Sequence, residues 1–127
     1  RHLKRRPHLR LSVAKAEALP VRDNSVDAIT SIFMFHELPP KIRRSVFREC
    51  ARVLKPGGRF VLVDSLQHGD EPDYDGLLDD FPESYHEPYY RSYLDEDFSA
   101  IARGCRLMHV RDSNAFVSKV IVFDKEA

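Results

Sequence analysis

His36 and Glu37 are the residues whose type and position most readily suggest proton chemistry. They end a nearly continuous apolar run, Asp27 to Phe35, and precede the double proline Pro39-Pro40. A buried strand should give way to a helix there, because proline is tolerated in a first helical turn whose N–H groups lack partners anyway. In open α/β sheets, ligands bind in the crevice beyond the carboxyl ends of the strands. A histidine in that place, titrating near neutrality, suits a proton acceptor. It could equally cap the proline-opened helix or hydrogen-bond the backbone. A second group is aromatic: Tyr85, His86, Tyr89, Tyr90 and Tyr93 crowd one stretch. They could hold an apolar or aromatic ligand, or pack that stretch onto the sheet. His2, His8, His68 and His109 form no ligand pattern, and Cys50 and Cys105 stand outside any metal spacing, so no metal is expected. Gly57-Gly58 is a helix-stopping turn and not a phosphate loop.

The elements that would position these residues alternate. Leu9, Leu11 and Val13 alternate with polar neighbours and read as a half-buried strand. The β-branched and aromatic run Asp27–Phe35 reads as a strand covered on both faces. Ile42, Val46, Phe47, Cys50, Val53 and Leu54 share one face at helical spacing, leaving Lys41, Arg44, Arg48 and Arg52 largely to solvent. Pro56, Gly57 and Gly58 stop that helix, and Phe60–Asp64 is a further buried strand. Residues 67–93 hold Pro72, Pro82 and Pro88 among acids and tyrosines, and are too long for an ordinary connector. They suggest a lid or a weakly helical insertion within a single domain. Asp95-Glu96-Asp97 opens a short helix buried through Phe98, Ile101 and Ala102 and ended by Gly104. Leu107–Arg111 and Phe116–Phe123 read as strands joined near Asp112-Ser113-Asn114, pairing antiparallel at a sheet edge.

Composition narrows the functional classes. The 127 residues carry 20 basic and 20 acidic side chains. That balance argues against a nucleic-acid partner or an anionic membrane surface. No apolar run approaches the ~20 residues of a membrane span. With two separated cysteines and no hydrophobic leader, the expectation is a soluble, cytoplasmic protein. The opening run Arg1-His2-Leu3-Lys4-Arg5-Arg6 reads as the tail of a helix continuing from upstream, or else as a basic arm.

Three stretches carry a family likeness. Glu17-Ala18-Leu19-Pro20 with Asp23-Asn24-Ser25-Val26-Asp27 resembles the E-A-L-P-F-x-D-N-S-F-D signature of class I S-adenosylmethionine-dependent methyltransferases of the ubiquinone-biosynthesis type. Phe35-His36-Glu37-Leu38 resembles the segment after their fourth strand. The stretch from Arg48 to Gly58 resembles their R-E-x-x-R-V-L-K-P-G-G helix end. The likeness covers residues 14–64 closely, and Glu87-Pro88-Tyr89-Tyr90 and Phe116–Val120 more loosely.

The resemblance implies an α/β, Rossmann-like sheet of order 3-2-1-4-5-7-6 with an antiparallel final strand. On it, the strand ending at Val13 is the third, Asp27–Phe33 the fourth, Phe60–Asp64 the fifth, and the last two the sixth and seventh. Strands one and two, with their glycine turn and ribose-binding acid, are missing from this expectation. By the same resemblance Ala16 and Glu17 would lie by the adenine of S-adenosylmethionine. Ser31, Ile32 and Phe33 would lie by its methionine part. Lys15 stands where relatives more often carry a short polar or acidic residue. His36 would serve a small-molecule acceptor, with Glu37, Tyr89, Tyr90 and Tyr93 lining its pocket. An open strand edge implies a homo-oligomer or completion by an upstream half. Two other readings remain: a non-catalytic methyltransferase-like module that pairs with a partner chain, and half of a dinucleotide-binding dehydrogenase. Dehydrogenases lack the E-A-L-P to K-P-G-G series.

Overall fold

The structure is a computed structural model describing residues 8–127, apart from the side chains of residues 83–85. The basic run at residues 1–6 and the side chain of Tyr85 therefore lie outside the described residues. Eight elements follow in order: β1 (Val26–Ile32), α1 (Pro40–Val53), β2 (Leu54–Ser65), α2 (Asp75–Tyr85), α3 (Tyr90–Leu94), α4 (Phe98–Arg103), β3 (Leu107–Ala115) and β4 (Ser118–Lys125). Short 3-10 turns at Phe35–Glu37 and Pro72–Tyr74 precede α1 and α2.

The four strands form one sheet in the order β1-β2-β4-β3. β1 pairs parallel with β2, while β4 runs antiparallel to both β2 and β3. This is the 4-5-7-6 portion of the expected order, antiparallel strand included. Parallel neighbours need a crossover between them, and α1 supplies it. Pro39 precedes the helix and Pro40 opens it, as their missing N–H groups allow. Its apolar stripe buries Val46, Phe47, Cys50 and Val53 against the sheet, while Lys41, Arg44 and Arg48 are exposed.

The centre of the core is aromatic. The Phe47 ring lies 5.3 Å from Phe60 and 5.4 Å from both Phe35 and Phe123, mostly edge to face, the arrangement ring quadrupoles favour. Phe98 of α4 stacks on Phe47 at 5.7 Å. Asp97 caps α4 through the Ala100 N–H, and Gly104 ends it.

Four expectations need correction. Residues 9–13 form no strand, and Leu9, Leu11 and Val13 are exposed. A strand exists only through a ladder, and no described segment lies beside them to make one. β1 is not covered on both faces: Ile29 and Ser31 turn toward the helices, but Ala28, Thr30 and Ile32 are exposed. Helix α1 ends at Val53, ahead of Pro56, because Lys55 precedes a proline and is held away from helical angles. β2 then starts at once, and five of its positions span two of β1, Val26↔Leu54 against Ala28↔Arg59. Gly57 takes φ +81° there, and a Cβ on Gly58 would stand 2.8 Å from the Lys55 carbonyl. Finally, the last hairpin turns at Phe116-Val117 and not at Asp112–Asn114, which remain in β3. The pairing of Ser118 with both Ser65 and Ala115 sets that register.

Candidate active site

The carboxyl ends of β1 and β2 meet at Asp64, a fully buried carboxylate. Its Oδ2 accepts the backbone N–H of Phe35 at 2.9 Å and of His36 at 3.4 Å. Its Oδ1 accepts the Ser65 N–H at 2.8 Å and meets His36 Nδ1 at 2.7 Å. Because a carboxylate only accepts, Nδ1 is the protonated ring nitrogen. Nε2 is left as an acceptor without a hydrogen-bond partner among the described residues. The Phe35–Glu37 turn is thus folded around Asp64, and the imidazole is aimed by it.

His36 borders a cavity of about 640 Å³. Phe33, Ser65, Leu66 and Tyr90 form its inner wall with the histidine, α2 contributes Leu77, Leu78 and Phe81, and the hairpin tip adds Phe116 and Val117. Its polar points are few. The Ser65 hydroxyl is hydrogen-bonded to the Tyr90 hydroxyl, and the Tyr93 hydroxyl donates to the Ser65 carbonyl. The rings of Tyr90 and Tyr93 lie 5.4 and 6.2 Å from the imidazole. Burial raises the pKa of both phenols, so both stay protonated.

Arg43 fastens this wall from behind. Fully buried on α1, it donates Nε to the Phe35 carbonyl at 3.1 Å and a terminal nitrogen to the Tyr89 carbonyl at 2.7 Å. It also pairs with Glu96 at 3.2 Å. Burial lowers its pKa, opposed by the hydrogen bond and charge of Glu96.

A second, smaller depression of about 270 Å³ lies at the β1 edge. Ala16, Ser31 and Ile32 line it with Leu19, Met34 and Cys50, among others. The segment carrying Ala16 is held against α1 by Glu49, which accepts the Leu19 N–H at 2.6 Å and pairs with Arg52 at 2.8 Å. The Arg52 hydrogen bond holds the Glu49 carboxyl below its ordinary range. Ser31 is buried, and its hydroxyl has no hydrogen-bond partner among the described residues. Burial pushes the Cys50 thiol up to about 12, which leaves it unreactive.

The residues singled out from sequence therefore divide. Ala16, Ser31 and Ile32 share the edge depression, while Phe33, His36 and Tyr90 share the apolar cavity. Tyr93 is buried beneath the cavity wall. Glu17 is half-buried and lines neither hollow; Glu37 is exposed, and Tyr89, 39% exposed, contributes its carbonyl to Arg43. Sequence reasoning missed Asp64, Ser65 and Arg43, and the apolar lining from Leu77 to Phe81. An aspartate ending a buried strand beside the one that carries His36 was the available signal. Among the described residues no group of side chains could hold a metal ion.

Three comparisons bear on this arrangement. Residues 1–62 match the family described as a methyltransferase domain. A ubiquinone/menaquinone biosynthesis C-methyltransferase of Acidiphilium cryptum is 47% identical over 53 residues, covering 42% of this chain and 20% of that protein. The uncharacterized methyltransferase YcgJ of Bacillus subtilis is 42% identical over 74 residues, 58% of this chain and 26% of that protein. The chain thus spans about a quarter of the length of such relatives. The solved YcgJ structure superposes on 90% of this chain and 70% of its own with a TM-score of 0.59 at 22% identity. A Pyrococcus horikoshii protein shares the fold with a TM-score of 0.69 over 97% of this chain and 62% of its own, at 17% identity. No helix among the described residues is long and apolar enough to cross a membrane. Sheet order, turn residues and matched segment agree in supporting a class I S-adenosylmethionine-dependent methyltransferase domain in this chain.

Proposed function

We propose that this chain carries the acceptor side of a methyl-transfer site for a small molecule, with His36 as the proton acceptor. The observation that carries the reading is the His36–Asp64 pair at the wall of an apolar cavity. Asp64 holds the ring in one tautomer, so Nε2 can take a proton from the acceptor as its bond to carbon forms. The cavity walls exclude water and hold the acceptor's apolar body close to that nitrogen. Residues 67–93, with α2 over the opening, serve as its lid. Tyr90 and the buried Tyr93 support the imidazole, and Glu37 and Tyr89 stand at the periphery.

The family's S-adenosylmethionine supplies, when bound, a methyl group on a sulfonium that departs as a neutral thioether. The edge depression fits part of that molecule, because the orphaned Ser31 hydroxyl offers a hydrogen bond that no described residue accepts. Ser31 and Ile32 would face its methionine portion, with Phe33 between the two hollows, and Ala16 and Glu17 would flank the adenine. The proposed compartment is the cytoplasm, in keeping with two unpaired cysteines.

A second reading, a methyltransferase-like module completed by another copy or another chain, is favoured by one observation. β1 has no strand on its outer side among the described residues, and Ile32 is 65% exposed there.

The test is transfer of a labelled methyl group from S-adenosylmethionine to apolar acceptors, beside calorimetric titration with S-adenosylhomocysteine and the mass in solution. His36→Gln should lower the rate about 10²- to 10⁴-fold with S-adenosylhomocysteine affinity unchanged. Equal rates would remove His36 from the chemistry. Binding by a dimer would support completion across an interface. No binding at about millimolar ligand would leave the family standing but end the idea that this chain works unaided.

A further inference from the structure

We infer that the cavity selects an uncharged apolar acceptor and rejects anions, through the carboxylates Asp73 and Asp80 at its rim and Asp64 behind its wall. The inference rests on the cavity being the acceptor site. Among the described residues no lysine or arginine lines the cavity, so a carboxylate or phosphate entering it would find no cation there to replace its water. The nearest polar group, His36, already spends its Nδ1 proton on Asp64, and in the neutral form its Nε2 can only accept. An anion beside it would meet a lone pair and a buried negative charge.

The rim adds to this. Residues 67–97 contain eleven carboxylates and one arginine. Several of these acids are engaged elsewhere: Asp70 with Lys119, Asp79 and Asp95 with His68, Glu96 with Arg43. Asp73 and Asp80 have no cationic partner among the described residues. Asp80 stands three residues after Leu77 on α2, and Asp73 lies in the 3-10 turn directly before Tyr74. Tyr74 and the 71% exposed Leu77 both line the cavity, so each of the two unneutralised carboxylates is close in sequence to a lining residue. Buried cations nearby do not offset them, because Arg43 and Lys119 are each paired with an acid of their own.

Matched aromatic probes test this on the chain as it stands. Titration with 2-naphthol, uncharged at neutral pH, should give an affinity at least about tenfold above that of 2-naphthoate. The double variant Asp73→Asn with Asp80→Asn changes only exposed side chains. It should narrow the gap about threefold, by tightening naphthoate alone, and added salt should do the same in the parent chain. Equal affinities, tighter naphthoate, or a gap indifferent to both the double variant and salt would overturn the inference while leaving the cavity as a binding site. Failure of both probes to bind would overturn the cavity reading itself, and this inference with it.

Discussion

The apolar cavity and the edge depression lie at the two sides of the same strand end, yet they are finished to different degrees. Around the cavity the buried polar groups are paired, with His36 Nε2 left open toward it: Asp64 accepts four hydrogen bonds, and Ser65 binds Tyr90 through its hydroxyl and Tyr93 through its carbonyl. Its walls come from β2, α2, α3 and the hairpin tip, all within this chain. The depression is anchored at Leu19, whose N–H and carbonyl bind Glu49 and Arg52, and among the described residues the Ser31 hydroxyl is unsatisfied beside a strand without an outer neighbour. A site that satisfies its own polar groups is preorganised; one that leaves a group orphaned is built to meet something else.

The comparison breaks if Asp64 proves dispensable. Asp64→Ala strips four donors of their acceptor inside the core and should cost about 3–5 kcal/mol in urea unfolding. A loss below about 1 kcal/mol would mean the turn around His36 holds itself together, and the cavity wall is less determined than its bonding implies. Ser31→Ala sharpens the other side. Removing an unsatisfied buried hydroxyl should leave stability unchanged or raise it by up to about 1 kcal/mol, while weakening S-adenosylhomocysteine binding. A clear loss of stability would show that the hydroxyl has a partner in the folded chain. The smallest effect concerns the lid. His68 meets Asp95 through Nδ1 and Asp79 of α2 through Nε2, both at 2.7 Å. The hydrogen bond to Asp95 raises its pKa most, burial opposes this, and the hydrogen bond to Asp79 adds a smaller rise. The folded value lies above the unfolded one, so the clasp stabilises fully below about pH 6.5 and is lost as pH rises through the raised value. His68→Gln should therefore flatten the fall in Tm between about pH 6 and about pH 8.5, and an unchanged slope would remove the clasp from the lid.

What the sequence made legible follows from which forces are local. The α1 stripe and the α4 cap depend on neighbours within a few turns, and the strand-helix-strand order over residues 26 to 65 matched expectation, while the end of α1, the start of β2 and the covering of β1 did not. His36 was visible because the strand before it and the prolines after it fix its place. Asp64 as its partner was not visible, since parallel pairing brings together residues 28 apart and no local pattern encodes that. Arg43 sits among the wet-face arginines of α1 in sequence and is the one that is buried, because four acceptors from Phe35, Tyr89, Ser92 and Glu96 happen to surround it. Leu9 to Val13 misled for the converse reason: alternation signals a half-buried strand only where a neighbouring strand supplies the ladder. The hairpin turn was misplaced because Asp112-Ser113-Asn114 has turn chemistry, whereas register across β2 and β4 put the bend at Phe116, with φ +59°.

Arg43 has a mechanical consequence. One guanidinium bonds both the carbonyl of the turn that carries His36 and the residues that begin α3, while α3 lays Tyr90 and Tyr93 against the same imidazole. The imidazole and the helix beside it are therefore two arms of one lever with its pivot in α1. α3 cannot swing away from the sheet without drawing the Phe35 carbonyl with it, so opening this side of the cavity and releasing the imidazole from its aim are a single movement.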